Sequence, residues 1–312
     1  MEIITALEQL HRVKGPCVIA LGTFDGLHLG HQDVILAARE QARATSAKLA
    51  VFTFSNHPLS LIRPEAVPVS LISPEKKLEL LEKLGVDILI DIPFNKELAQ
   101  LTPDEFLAKL QSINYSCLTV GENFTYGIYG RGTCTTMAES AKVMGFKLIV
   151  RPLVSYNGTV ISSTAIRQLI SNGLMDEAAK MLGRSYSLAG VVAHGNERGR
   201  LLGYPTANIE LEDYNVAAPK GGVYMVQVIL ENHTYYGMAN IGKNPTFGDV
   251  DRLRLEVNIF DFDGDIYGKE MTVIFKEYVR GEVRFSSIDA LKAQLAADKE
   301  QCKALVQKLD RL

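Results

Sequence analysis

The sequence predicts two domains of different class. The first half reads as an α/β domain on a parallel sheet, the second as an antiparallel β-barrel or sandwich with a closing helix. Three observations predict this. Apolar runs of strand length alternate with amphipathic stretches of helical spacing up to about Leu182. From Tyr186 to about Tyr278 that rhythm gives way to β-rich runs separated by turn residues. The 312 residues leave each part enough chain for its own core.

In the first half, Cys17–Leu21 (CVIAL) is a short buried strand ending at Gly22. From His31 to about Thr45, Val34, Ile35, Ala38 and Ala42 recur at helical spacing. Lys48–Phe54 (KLAVFTF) is a second strand and Val86–Ile90 (VDILI) a third. Ser73-Pro74-Glu75 opens a helix, with the serine hydroxyl as cap and the proline where no amide is needed. Thr102-Pro103-Asp104-Glu105 is a capping box. Ser116–Val120 and Phe146–Val150 add strands. Strands joined by helices pair in parallel, and such sheets bind ligands at the carboxyl ends of their strands.

A helical stretch, about Ser163 to Leu182, closes this half. The runs SLAGVVA, GGVYMVQVIL, TYYGMANI, RLEVNIFDF and EMTVIFKEYV follow, with Asp263-Gly264 read as a hairpin turn. Ser287–Leu312 carries Ile288, Leu291, Leu295, Leu305 and Leu309 on one face and predicts an amphipathic helix packed on the β domain. The boundary is expected near Gly183–Ser185, giving domains 1–184 and 185–312.

Hydrophobic residues at 47%, charged residues at 22% and a net charge of −3 describe a soluble globular chain without the basic face of a nucleic-acid binder. Cys17, Cys117, Cys134 and Cys302 form no CxxC pair, which fits buried or free thiols in a reducing compartment. The start shows no secretory pattern, and no run approaches the ~18 apolar residues of a membrane span. A cytoplasmic protein with small-molecule partners is expected, without nucleic acid or membrane, as a monomer or weak homo-oligomer.

Gly22-Thr23-Phe24-Asp25-Gly26-Leu27-His28-Leu29-Gly30-His31 follows a strand and leads into a helix. Glycines there let backbone amides approach phosphate oxygens, and the helix start adds partial positive charge. His28 and His31 would face one ligand and donate hydrogen bonds to phosphates gaining charge. An HxxH metal pair would need a third ligand of matching spacing nearby. Further on, the hydroxyls of Ile161-Ser162-Ser163-Thr164-Ala165-Ile166-Arg167 sit at a helix start, and Arg167 follows one turn later as a phosphate clamp or a solvated charge.

The first of these segments resembles the HxGH superfamily of nucleotidyltransferases, in its FMN adenylyltransferase branch, and the second resembles that family's second phosphate motif. The resemblance implies a Rossmann-like domain in which Gly22, Phe24, Asp25, Gly30, Ser163, Thr164 and Arg167 bind ATP. His28 and His31 would be catalytic. Adenylyl transfer to FMN needs alignment and charge neutralisation but no base, because the FMN phosphate is already an anion. Two segments depart from the family pattern. Phe54-Ser55-Asn56-His57-Pro58 has Asn56 at the first proline of an aromatic-Pro-His-Pro element. Gly121-Glu122-Asn123-Phe124-Thr125-Tyr126-Gly127 has Asn123 for the usual acid of the flavin loop, where Asn123 and Phe124 would contact flavin.

The segment His194 to Asn208 is basic and glycine-punctuated, but no GK[ST] follows, so it is not a Walker A loop. By itself it could be a surface loop between strands. Thr206 and Asn208 point to one side of an extended chain and offer neutral oxygen donors suited to Mg²⁺ carrying ATP phosphates. Glu256 lies in LEVNIF, where Glu256, Asn258 and Phe260 alternate with Leu255, Val257 and Ile259. It is a solvated strand carboxylate or a functional one. Asp261, Asp263 and Asp265 do not complete an EF-hand loop.

Gly203-Tyr204-Pro205-Thr206-Ala207-Asn208 resembles the PTAN motif of riboflavin kinases. Gly222-Val223-Tyr224, the segment Asn240 to Phe247, Leu255 to Asn258, Asp261-Phe262, Tyr267-Gly268-Lys269 and the pattern Arg280, Glu282, Phe285 match in order. The two resemblances cover nearly the whole chain, in the order of the bacterial bifunctional FAD synthetases. They imply a six-stranded barrel kinase in which Glu256 is the general base. Gly195, Gly199, Gly203 and Pro205 would bind ATP, Thr206 and Asn208 Mg²⁺, and Arg280 flavin. Riboflavin, FMN and FAD are then substrates or products and ATP the co-substrate. The alternatives are a kinase with a weakened adenylyltransferase, or a non-catalytic flavin-binding regulator; the latter has no need of a base.

Overall fold

The computed structural model describes residues 1–194, 203–211, 213, 215–244 and 252–309. Gly195 and Gly199 therefore lie outside the described residues. The chain forms two compact units, Met1–Ser163 and Thr164–Leu312.

Strands β1 (Glu2–Ile4), β2 (Cys17–Leu21), β3 (Lys48–Phe54), β4 (Ile88–Ile92), β5 (Tyr115–Gly121) and β6 (Lys147–Arg151) make one sheet, ordered β1-β4-β3-β2-β5-β6. Every pairing is parallel. The helices between them are α1 (Leu29–Ala44), α2 (Leu59–Ile62), α3 (Pro74–Lys83), α4 (Lys96–Gln100), α5 (Pro103–Leu110) and α6 (Cys134–Met144). Both sheet faces are buried, as parallel sheets require. Cys17, Ile19 and Leu21 of β2 join a core with Phe52, Leu107 and Met137. Val18 and Ala20 point the other way, into a core with Val34, Ile35 and Ala38 of α1. The strand order reverses at β2, which puts the crevice expected to bind ligand at its carboxyl end.

The expected caps are present. Lys76 N donates to Ser73 Oγ at 3.2 Å, and Thr102 and Glu105 form a reciprocal capping box. β4 begins two residues later than expected, because Val86 N is spent on Leu81 O at the end of α3. β1, α2, α4, α6 and the β7–β8 hairpin lay outside the sequence pattern. β1 has only three residues. In α6 only Met137 and Ala141 are buried. The hairpin of β7 (Ser155–Tyr156) and β8 (Thr159–Val160) has two residues per strand, too few for a period.

In the second unit, α7 (Ser163–Ser171) and α8 (Met175–Leu182) precede a barrel. Its strands are β9 (Ser187–Ala193), β10 (Ala207–Leu211), β11 (Gly222–Leu230), β12 (His233–Asn244), β13 (Arg252–Ile259) and β14 (Glu270–Arg280). They close in the order β10-β13-β12-β11-β14-β9, all antiparallel. Tyr224, Val226 and Val228 point inward; Val223 and Met225 point outward, where α9 (Ile288–Leu309) covers them with Leu295, Cys302 and Leu305. One expectation is corrected. Asp263-Gly264 is not a hairpin turn, because β13 lies between β10 and β12 while β14 lies between β11 and β9. An Asp-Gly pair fixes a local bend and not which strands pair across it. The expected boundary near Gly183–Ser185 falls at the end of α8, whose Met175, Ala178, Met181 and Leu182 are buried.

Two candidate active sites

The loop Gly22–His31 leaves β2 at the reversal of strand order and enters α1. Its backbone is held in an uncommon shape: Phe24 (φ 51°), Gly26 (φ 78°) and Leu27 (φ 43°) are all left-handed. Such positions cost on the order of 1–3 kcal/mol each for non-glycine residues and persist only when the surroundings over-determine them. Here they do. Leu71 N donates to Asp25 Oδ1 at 2.9 Å, Gln32 Nε2 to Leu27 O at 2.8 Å and Thr53 Oγ1 to Thr23 O at 2.9 Å. A β-carbon on Gly26 would meet Leu71 at 2.5 Å.

The loop stacks the two histidines. The His28 and His31 rings lie 3.6 Å apart and 18° from parallel. His28 Nδ1 accepts from His31 N at 3.3 Å. A side chain on Gly30 would press the His28 ring at 3.3 Å. Phe24 is buried, with its ring edge-on to His31 at 5.4 Å, so it supports the histidines from below. Burial, then His28 and then Lys77 hold His31 well below the usual imidazole range. Lys77 is itself pushed down by burial; its Nζ donates to Thr53 Oγ1 at 3.0 Å and Phe54 O at 3.4 Å. A neutral His31 acts as a hydrogen-bond donor and not as a fixed cation.

The second phosphate motif enters the same unit through Ser163, whose Oγ donates to Asp25 O at 3.0 Å. Thr164 is exposed, and Arg167 follows one turn along α7, in the second unit. Asn123 is exposed on the loop after β5; Phe124 beside it stacks with Tyr126 at 6.0 Å. Asn56, which stands where the resemblance leads one to expect proline, has a role of its own. Its Oδ1 accepts from Phe94 N at 2.6 Å, and its Nδ2 donates to Phe94 O at 3.2 Å and Ser60 Oγ at 2.9 Å. It clasps the loops after β3 and β4 together.

On the barrel, strand register assembles the second site. Asn208 of β10 pairs with Glu256 of β13, Glu256 with Asn240 of β12, Asn240 with Val223 of β11, and Val223 with Arg280 of β14. Residues directly opposite share a face, with β-carbons about 4.5–5.5 Å apart. This row runs across the outer face of the barrel, since Leu255 and Val257 point inward. That outer face is not open solvent. It lines a cavity of about 290 Å³ with Thr206, Asn240, Arg254, Glu256, Asn258 and Glu282. Met238, Phe285, Leu291 and Leu295 supply its apolar wall. Glu256 is therefore a cavity carboxylate, which alternation alone left undecided.

Asn258 is 5% exposed; its Nδ2 donates to Pro205 O at 2.7 Å, while its Oδ1 has no hydrogen-bond partner among the described residues. That contact fixes the chain just before Thr206. Gly203 is exposed at the start of this segment. Arg280 lines the cavity, but its guanidinium is bonded to Asp298 of α9: Nε to Oδ1 at 2.8 Å and Nη2 to Oδ2 at 2.6 Å. Gln294 Nε2 also donates to Asp298, which is 1% exposed. Asp298, Arg254 and Asn258 were not singled out from the sequence. Arg254 and Asn258 share the two-residue phase of Glu256, a usable signal; Asp298 carried none, being one acid on a charged helix.

A glycine-rich loop with stacked histidines on the first unit and a polar cavity on the barrel of the second fit a nucleotide-dependent transferase with two sites. Residues 10–165 match the FAD synthetase family and residues 182–306 the riboflavin kinase family. The chain is 38% identical over 296 residues to the bifunctional riboflavin kinase/FMN adenylyltransferase of Listeria monocytogenes, spanning 94% of this chain and 93% of that one. To the Bacillus subtilis protein of the same name it is 37% identical over 288 residues, 91% of this chain and 90% of that one. A crystal structure described as a macrolide-efflux protein from Streptococcus pneumoniae superposes with a TM-score of 0.88 at 36% identity, covering 96% of this chain and 98% of that chain. The chain belongs to the bifunctional riboflavin kinase/FMN adenylyltransferase family. Among the described residues no helix is long and apolar enough to cross a membrane.

Proposed function

We propose that the family's two activities divide along the chain, with residues 185–312 phosphorylating riboflavin and residues 1–184 adenylylating FMN. The protein is a riboflavin kinase and FMN adenylyltransferase that uses ATP twice. In the kinase step the riboflavin 5′-hydroxyl oxygen bonds to the γ-phosphorus of ATP. The bond from that phosphorus to ADP breaks, and the hydroxyl proton passes to Glu256. A hydroxyl is a poor nucleophile, so this step needs a base. The observation that carries the reading is Glu256 lining the cavity on the outer face of the barrel together with Thr206 and Asn240, with Asn208 paired to it across the ladder.

Thr206 and Asn208 would hold Mg²⁺. The donor set fits: neutral side-chain oxygens beside the cavity and an Asn258 Oδ1 that has no hydrogen-bond partner among the described residues. Such a set suits an ion that arrives bound to phosphates. Mg²⁺ there would neutralise charge on the ATP phosphates. Gly203 and Pro205, with Gly195 and Gly199 ahead of them, form the segment that receives those phosphates. Arg280 acts on the flavin through the wall it holds with Asp298.

In the adenylyl step an FMN phosphate oxygen bonds to the α-phosphorus of ATP and pyrophosphate leaves. His28 and His31 donate to oxygens that gain charge. Gly22 and Gly30 allow close backbone approach, Phe24 and Asp25 hold the loop, and Ser163, Thr164 and Arg167 bind phosphate. Asn123 and Phe124 contact flavin. The protein works in the cytoplasm on small molecules alone, as a monomer or weak homo-oligomer. Chromatography of riboflavin and Mg-ATP reactions, resolving FMN from FAD, tests the whole reading. FMN should form first and FAD after it; accumulation of FMN without FAD would leave only the kinase half standing.

A further inference from the structure

Two arginines line the barrel cavity, and they differ in how their donors are used. Arg280 is consumed by Asp298, and its Nη1 donates to Gly281 O at 2.8 Å. Arg254 makes no hydrogen bond among the described residues. Among the described residues its one charged contact is loose, Nε to Glu256 Oε1 at 3.8 Å. It lies two residues before Glu256 on β13, so its side chain leaves the same face of the strand.

Its place is made by a glycine. Arg254 pairs across the ladder with Gly242 of β12. A β-carbon on Gly242 would stand 3.5 Å from Arg254 Nη2, 3.6 Å from its Nε and 3.1 Å from Glu282 Oε1. The guanidinium therefore lies over bare backbone, beside the base and with Glu282 sharing the same space. A guanidinium presents five donors in a fork that matches phosphate oxygens, and one left unbonded in a cavity is poised for an anion.

We propose that Arg254 is the phosphate clamp of the kinase site: it binds the phosphoryl group as it passes from ATP to the riboflavin 5′-oxygen and holds it on the product FMN. The proposal rests on the kinase reading above. In the step, the Pγ–O bond to ADP breaks, the new P–O bond forms to the ribityl oxygen, the proton goes to Glu256, and Arg254 exchanges no atoms. Its donors face oxygens that are absent from riboflavin and present on FMN.

That asymmetry gives the test. Kinase turnover in the full-length protein is followed through the initial rate of ADP release, before added FMN is adenylylated; adenylyl transfer itself releases pyrophosphate and no ADP. Riboflavin KM, kcat and the inhibition constant of added FMN are measured for wild type, Arg254→Gln and Arg254→Lys. Arg254→Gln should raise the FMN inhibition constant about tenfold and lower kcat about 10- to 100-fold, as for loss of a charged donor, with riboflavin KM within about twofold of wild type. Arg254→Lys should recover part of both. An unchanged FMN constant would overturn the proposal. So would a parallel rise in riboflavin KM and FMN constant, the signature of a residue that only shapes the wall. A wild-type protein that makes no ADP from riboflavin and ATP would instead overturn the kinase reading, and the clamp with it.

Discussion

In the proposed division of roles, Glu256 is the base of the kinase step, and the stacked His28 and His31 are the donors of the adenylyl step. Glu256→Gln keeps the shape of the side chain and removes the base, so FMN formation should fall by roughly 10²–10⁴-fold. FAD formation from supplied FMN should hold steady; kinase turnover near wild type would show that the proton goes elsewhere. His28→Ala and His31→Ala should each lower adenylyl transfer by about 10²-fold or more, the worth of one transition-state donor, with kinase turnover intact. His31 also carries a stability signature. Its folded value lies well below the ordinary 6.5. The unfolded chain therefore binds a proton that the folded chain refuses, and stability is lost as pH falls below that value. Melting temperatures measured from pH 7.5 to 5.0 should decline less steeply in His31→Gln than in wild type. At this scale the motif residues were legible because glycines, histidines and the PTAN hydroxyls have few other uses in that order. The side on which Glu256 acts was not, because alternation separates two faces without saying that α9 roofs the outer one. Asn56 was illegible as a clasp, since its partner is the backbone of Phe94, 38 residues away.

Elements set the cavity's dimensions. α9 forms one wall, and its only buried charge, Asp298, is bonded to Arg280 of β14. Removing one partner of a buried pair leaves the other charge uncompensated, at a cost of about 3–5 kcal/mol. Asp298→Ala should therefore lower the melting temperature and raise riboflavin KM, because the wall loosens. Thermal denaturation and kinase kinetics check this together; a variant as stable as wild type would mean that Arg280 finds another acceptor. Capped helices and long strands were readable from the sequence because caps and periods are local. β1 and the β7–β8 hairpin were not, being shorter than any period. The strand order of the barrel was beyond local signals as well, since the bend at Asp263-Gly264 joins strands that are not neighbours.

The whole molecule is a pair of units whose chemistry should be separable. A fragment from Ser185 to Leu312 contains Thr206, Asn208, Glu256 and α9, and should convert riboflavin to FMN without forming FAD. A fragment from Thr164 adds α7 and α8, whose Ile166, Ile170, Met175 and Leu182 are buried, and whose Ile170 O accepts from Lys220 N at 3.2 Å. The longer fragment should melt higher, on the order of 10 °C, for the apolar surface it keeps covered. Equal melting points would mean that α7 and α8 contribute nothing to the barrel. A folded shorter fragment without kinase activity would refute the division of labour.

The closed ring of the barrel has a consequence for how the protein fails under stress. A ring in which β10 pairs with β9 has no terminal strand, and so no row of unpaired amides for another chain to join. The parallel sheet does end, at β1 and at β6. β1 is short, and the β6 margin carries charge in Lys147 and in Arg151, which bonds Asp33 at 2.7 Å. Intermolecular strand addition, and the fibrils it seeds, is thereby directed to the guarded margins of the first unit. The barrel offers no template until its ring has opened.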